Sequence, residues 1–193
     1  MIYAIILLAI AALYLLSFYN RQKTLQVRIK ASVQEIGNQL KRQANLIPGL
    51  VESVKGFMKQ EKGIYEDITS ARKSVEKALE TSDPKAIDKS QEMINKVLGS
   101  LKVIVESNPE IKSSNLVSNL MEELRDTADK LMYSRRTLID LAADFNTAIH
   151  TFPGVLIAPL FGFKEETGLE TALSGDHLKV SSTETANPKV DLN

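Results

Sequence analysis

Residues 25–47 read LQVRIKASVQEIGNQLKRQANLI, and their apolar members recur at intervals of three and four residues. The recurring positions are Leu25, Ile29, Val33, Ile36, Leu40, Ala44 and Ile47. This spacing places them along one face of an α-helix whose opposite face is polar. A long, narrow apolar face is not stable in water alone, so the stretch predicts a helix that packs against other helices.

The same spacing continues towards the C-terminus. Further apolar stripes occupy residues 50–79, 87–104 and 117–152. Thr81-Ser82-Asp83-Pro84 combines a helix end with an N-cap followed by proline, and Ser107-Asn108-Pro109 ends the third stripe. The sequence therefore predicts an all-α body over residues 21–152.

The number of helices in this body depends on Asn45-Leu46-Ile47-Pro48-Gly49, because the apolar spacing crosses this segment without a change of register. Pro-Gly next to Asn is strong turn chemistry, which favours a helix break and reversal at Pro48. That reading predicts an antiparallel, up-and-down four-helix bundle. If Pro48 only kinks a helix over residues 25–79, the body is a longer three-helix rod.

The N-terminal direction leads to a membrane anchor. Residues 1–20 carry no charged side chain and consist mostly of Ile, Leu, Ala and aromatic residues. Twenty helical residues span about 30 Å, the thickness of the hydrocarbon core of a bilayer. A cleaved signal peptide would carry basic residues before its apolar run, whereas here they follow it. We therefore expect a retained transmembrane helix.

Basic residues set the expected orientation of this anchor. Arg21, Lys23, Arg28 and Lys30 precede the first acidic residue, Glu35. Lysine and arginine close to a span tend to stay in the cytoplasm, which predicts a cytoplasmic main domain. The same side chains either attract anionic headgroups or only determine topology.

Residues 153–163 form an apolar segment rich in proline and glycine, which directly follows the last stripe. Its contact residues, with the preceding phenylalanine, are Phe152, Leu156, Ile157, Leu160, Phe161 and Phe163. The segment is too short to span a bilayer. It either caps the helical body or contacts the membrane or another protomer. The polar residues 164–193 predict a disordered tail.

Two charged residues fall on the apolar stripes. Glu61 lies between Phe57 and Ile64, and Arg135 lies between Leu131 and Leu138. An unpaired buried charge is costly, so we expect Glu61 and Arg135 to form a buried polar pair that specifies helix register.

The sequence carries no signature of a reaction centre. The chain has no cysteine, and it lacks phosphate-binding, dinucleotide-binding and zinc-protease motifs. Its 24 basic and 24 acidic side chains balance, which argues against nucleic acid as a partner. We expect no catalytic residue, cofactor or metal site.

Several motifs together resemble the bacterial LemA family. The most specific is LIPGLVESVKG at residues 46–56, with shorter matches at Ala71-Arg72, Ser134-Arg135-Arg136, Phe145-Asn146, Phe152-Pro153 and Leu160-Phe161-Gly162-Phe163. The resemblance implies a membrane helix followed by an antiparallel four-helix bundle, which supports a reversal at Pro48. It also implies a bacterial protein, here in the inner (cytoplasmic) membrane. The family has no agreed activity, and its magnetosome-membrane branch suggests membrane organisation.

These inferences predict a non-enzymatic, membrane-anchored scaffold that organises membrane or recruits proteins by forming homo-oligomers. Its expected partners are the lipid bilayer, its own copies and other proteins. The alternative is an accessory or signalling adaptor of another membrane complex.

Overall fold

The computed structural model of the protein describes residues 1–57 and 62–169. Its helices are α1 (Ile2–Val54), α2 (Lys62–Thr81), α3 (Pro84–Ser107), α4 (Pro109–Lys112), α5 (Asn115–His150) and α6 (Gly154–Ile157), with 3₁₀ turns at Lys55–Phe57 and Ala158–Phe161. The described residues contain no strand, so the predicted all-α class is confirmed for them.

Helix α1 corrects the predicted break at Pro48, which lies inside the helix. Ile47 and Leu50 on either side are fully buried, so the apolar face continues through the proline without interruption. Pro48 itself is exposed, on the side of α1 where its ring meets solvent. Continued burial of this face outweighs the cost of the missing backbone hydrogen bond. The helix nevertheless ends at Val54, so the rod with one helix over residues 25–79 is also wrong.

Helix α1 ends at Val54, and helix α2 begins at Lys62. Helix α2 returns antiparallel to α1, because the Leu79 side chain near its end lies against Gly37. The four long helices still form an antiparallel, up-and-down arrangement, with its first turn displaced from Pro48 to a later position.

The other predicted helix boundaries agree with the structure. The Asp83 carboxylate accepts a hydrogen bond from the Lys85 N–H, and Pro84 occupies the first turn of α3. Helix α3 ends at Ser107 as predicted. Ser114 is the N-cap residue of α5, but its side chain forms no capping hydrogen bond.

The core runs along α1, which packs most extensively against α5 and also contacts the α2–α3 hairpin. Its largest fully buried side chains include Ile36, Leu40, Ile47, Leu50, Ile87, Ile94, Leu101, Leu138 and Phe145. Near its tip, the hairpin contacts Gly37 of α1 and Arg135 of α5. Closer to the N-terminus, α1 and α5 continue as a pair, and residues 152–169 pack against this pair.

Candidate membrane-proximal site

Residues 2–17 of α1, here called the apolar rod, are mostly apolar and mostly exposed. Its mean hydropathy reaches 2.3 over an 18-residue window, of which 6% is buried. By length and composition, this helix is able to cross a membrane. The rod ends where the helix begins to contact the rest of the protein, at Leu15 and Phe18.

An aromatic cluster joins this end of the rod to the C-terminal segment. Phe163 is its centre, with ring centroids 6.3 Å from Phe18, 5.8 Å from Tyr19 and 6.0 Å from Phe145. The rings of Phe18 and Phe145 meet Phe163 edge-on, an arrangement that suits the aromatic quadrupole. Phe161 extends the cluster, 5.2 Å from Tyr19. Three separate segments of the chain are thereby fastened together.

Lys23 links the aromatic cluster to the polar surface. Its Nζ lies 5.3 Å from the Phe163 ring centroid and 5.8 Å from that of Tyr19, within the range of cation–π attraction. The same ammonium donates a hydrogen bond of 3.2 Å to Gln26 Oε1. Lys23 thus carries its charge one helical turn beyond the apolar rod.

A side-chain clip holds the residues that follow Phe163. Asn146 on α5 accepts a hydrogen bond from the Glu166 N–H and donates one to the Glu166 carbonyl, each at 2.9 Å. Gln26 on α1 donates to the Glu166 carboxylate at 3.0 Å. Leu169 is buried beyond the clip. The predicted disordered tail, residues 164–193, therefore begins with residues bound to the helical body, and residues 170–193 lie outside the described part.

Residues 152–163, here called the basal segment, have two apolar faces. Ile157, Ala158 and Phe163 are buried against the body. Gly154 approaches the Ala148 carbonyl so closely that a Cβ atom would overlap it. The opposite face exposes Phe152 (81%), Leu156 (66%), Leu160 (79%) and Phe161 (40%). The predicted contact residues thus divide into a group that packs on the body and a group left in solvent.

The predicted basic residues lie together on α1, just beyond the apolar rod. Arg21, Lys23, Arg28 and Lys30 are all exposed. Of these four, Lys23 has a cation–π contact with the aromatic cluster. The structure therefore places the positive charge of Lys23 beside the aromatic cluster, a contact that the sequence did not predict.

The Arg135 side chain reaches from α5 to α3. Its Nη1 donates hydrogen bonds to Asp88 Oδ1 and Gln91 Oε1 of α3, both at 2.6 Å. The side chains of Arg135 and Asp88 are 22% and 29% exposed, so the pair is half-buried. Glu61 lies outside the described residues, and its pairing with Arg135 stays a prediction.

Two polar features of this region were not predicted from the sequence. They are the contact between Asn146 and Glu166 and the burial of Gln22. The Gln22 amide is fully buried, and neither Oε1 nor Nε2 has a hydrogen-bond partner within the described residues. Gln22 is in helical register with Leu25 and Ile29, and this spacing was the signal that could have predicted its burial.

A groove of about 1,000 Å³ separates α3 from the first half of α5. Its apolar lining includes Leu98, Met121, Leu124 and Ala128. Its charged lining comprises Lys102 and Arg125 together with Glu122, Asp126 and Asp129. The groove therefore offers both apolar contacts and charges of both signs.

Comparison with protein-family models finds the LemA family over residues 32–190. The match begins in α1 beyond the apolar rod and includes every later helix. No curated protein matches the chain at a significant level.

Proposed function

Because the chain belongs to the LemA family, whose model covers residues 32–190, we propose that it is a non-enzymatic, membrane-anchored scaffold. In this proposal it organises membrane or recruits proteins by self-association. The observation that carries the proposal is the continuity of α1, which runs from the apolar rod into the core without a break. A body built on such a helix is held at a fixed distance from the bilayer.

The proposed location is the inner membrane of a bacterium, with the helical body in the cytoplasm. Arg21, Lys23, Arg28 and Lys30 support this orientation, because they are exposed on α1 directly after the rod. Basic residues within about 15 to 20 residues of a span tend to remain on the cytoplasmic side.

Self-association is supported by the groove between α3 and α5. Helix α3 carries Lys102 there, and α5 carries Glu122 and Asp129, so two copies facing each other can pair opposite charges. The chain has zero formal net charge, so no net repulsion keeps copies apart. A second copy of the chain is therefore the proposed occupant of the groove.

Single cysteines test this arrangement cleanly, because the chain contains none. Ser118→Cys places a thiol in the groove, and Glu66→Cys places one on the exposed surface of α2. In full-length protein reconstituted in lipid, we expect a short bifunctional maleimide to cross-link Ser118→Cys between copies and to leave Glu66→Cys monomeric. Equal yields for the two variants at low protein density would contradict self-association through the groove.

The alternative function is an adaptor that transmits a conformational signal between the membrane and the body. The same helix favours it, because a displacement of the apolar rod is carried along α1 to Val54. The cross-linking experiment separates the two functions. Because each copy carries one thiol, a scaffold gives cross-linked dimers from purified protein alone, whereas an adaptor gives none without its partner protein.

A further inference from the structure

The basal segment holds exposed apolar side chains at a defined height along α1. Its exposed face consists of Phe152, Val155, Leu156, Leu160 and Phe161. Isolated apolar residues are normal on protein surfaces, but a contiguous group of them marks a contact surface. What covers this surface depends on where it lies relative to the bilayer.

Contacts with α1 fix this height. The ring of Phe18 approaches Gly154, and Tyr19 packs on Phe161. Phe18 and Tyr19 both contact Phe163. Leu15 packs against the same buried apolar cluster. All three α1 residues belong to the uncharged stretch of residues 1–20 that is needed to span about 30 Å of hydrocarbon. The basal segment is therefore level with the last part of the membrane-crossing stretch.

We propose that the exposed face of the basal segment inserts into the interfacial layer of the same membrane that α1 crosses. This inference rests on the proposed membrane anchorage. Once residues 1–20 span the bilayer, side chains beside Leu15 and Phe18 lie at the boundary between headgroups and acyl chains. The protein then holds the membrane at two adjoining places, a spanning helix and an interfacial wedge.

The composition of the surroundings favours lipid over a second protein as the occupant. Tyr19 lies at the same level as the basal segment. Aromatic rings with a polar end are favoured at the headgroups. Arg21 and Lys23 follow Tyr19 within about one turn, at the level expected for lipid phosphates, and the Lys23 ammonium lies over the Tyr19 and Phe163 rings. Apolar, aromatic and basic residues thus succeed one another in the order in which a bilayer changes from acyl chain to headgroup.

Tryptophan fluorescence provides a direct test, because the chain has no native tryptophan. Leu156→Trp and Leu160→Trp place the probe on the basal segment, at positions that are exposed and so tolerate the larger ring. Ile10→Trp is a control within the rod, and Leu116→Trp is a control at the opposite end of α5 with 61% exposure. Each full-length variant is reconstituted in phosphatidylcholine and phosphatidylglycerol vesicles with spin-labelled acyl chains, and its helicity is verified by circular dichroism.

We expect a spin label near the headgroup to reduce the emission of Leu156→Trp and Leu160→Trp, with a blue shift for both. We expect a label near the chain end to quench Ile10→Trp, and neither label to affect Leu116→Trp. Quenching of Ile10→Trp alone would overturn the interfacial insertion and leave the anchor intact. Blue-shifted but unquenched emission at 156 and 160 would assign the surface to a second copy and also overturn it. Absence of quenching at position 10 would defeat the proposed anchorage together with this inference.

Discussion

Arg135 shows how a charged residue is accommodated on an otherwise apolar stripe. Its guanidinium reaches α3, where Asp88 neutralises the charge and Gln91 accepts a second hydrogen bond. Both partners lie on α3 at partly buried positions. The pair joins α3 to α5 near the tip of the hairpin. Farther from the tip, these two helices are separated by the groove.

Removing this interaction should lower stability measurably. We expect Arg135→Leu to reduce the free energy of unfolding by about 1 to 2 kcal/mol, less than the 3 to 5 kcal/mol typical of fully buried pairs, because water partly screens the charges. The matched control is Arg136→Leu, since Arg136 is 83% exposed and lies 4.0 Å from Asp140. The control should change stability by less than about 0.5 kcal/mol. In a double-mutant cycle by urea denaturation, strictly additive effects of Arg135→Leu and Asp88→Ala would contradict the coupling.

Gln22 presents the opposite case, a buried polar group without a described partner. A buried amide that loses its hydrogen bonds to water costs about 1 to 3 kcal/mol. We therefore expect Gln22→Leu to raise the free energy of unfolding by about this amount, measured by thermal or urea denaturation. Gln34→Leu on the exposed face of the same helix is the control and should have little effect. A loss of stability in Gln22→Leu would show that the amide has a stabilising partner.

At the scale of the helix, Pro48 and Gly49 test where α1 ends. Both are exposed inside the helix, and a Cβ atom on Gly49 would meet Leu120 at an ordinary distance of 3.8 Å. We expect Gly49→Ala to stabilise the protein by about 0.5 to 1 kcal/mol, because glycine is entropically unfavourable in a helix. Pro48→Ala should also stabilise it, by at most about 3 kcal/mol.

Thermal unfolding followed by circular dichroism measures both changes. A chain reversal at Pro48 would predict the opposite result, because alanine at a turn removes the residues that favour it. Lower midpoints for both variants would therefore contradict the continuous helix.

The stripes and the Asp83-Pro84 signal were sufficient to predict the helices, because each rests on local chemistry. The predicted reversal at Pro48 was wrong because turn propensity is a local property. Whether the helix continues through Pro48 depends instead on how much apolar surface the next turn of α1 buries. The deciding observation was already in the sequence: Ile47 and Leu50 continue the same face across the proline.

The sequence predicted those parts of the site that have a distinctive local composition. The apolar basal segment and the basic residues beside the rod could be identified, but not which face of the segment packs on the body. That division follows from tertiary contacts such as Phe163 with Phe18 and Phe145. The hydrogen bonds between Asn146 and Glu166 join residues that are 20 positions apart in the chain. The spacing of residues along the sequence does not predict such a contact.

The whole molecule consists of two regions that differ in how they are stabilised. Farther from the N-terminus, α1, α5 and the α2–α3 hairpin share one apolar core. Nearer the N-terminus, α1 and α5 form a pair that depends on residues 152–169 to cover its apolar side. Local stability follows local burial, so the two regions are expected to open separately.

Truncation of the full-length protein tests this division. Ending the chain after Phe152 removes Ile157, Ala158, Phe163 and Leu169, whose side chains are buried. Each large apolar side chain contributes about 1.5 to 3 kcal/mol when fully buried, so the α1–α5 pair near the N-terminus should lose several kcal/mol of stability. We expect backbone amides of residues 22–29 and 141–149 to exchange hydrogen much faster in detergent micelles, while residues 94–105 of α3 keep their protection. The control ends after Leu169, retains every contact described here and should exchange like the full chain. Uniform loss of protection throughout the shorter variant would mean that the protein opens as one cooperative unit, with the basal segment stabilising all four long helices together.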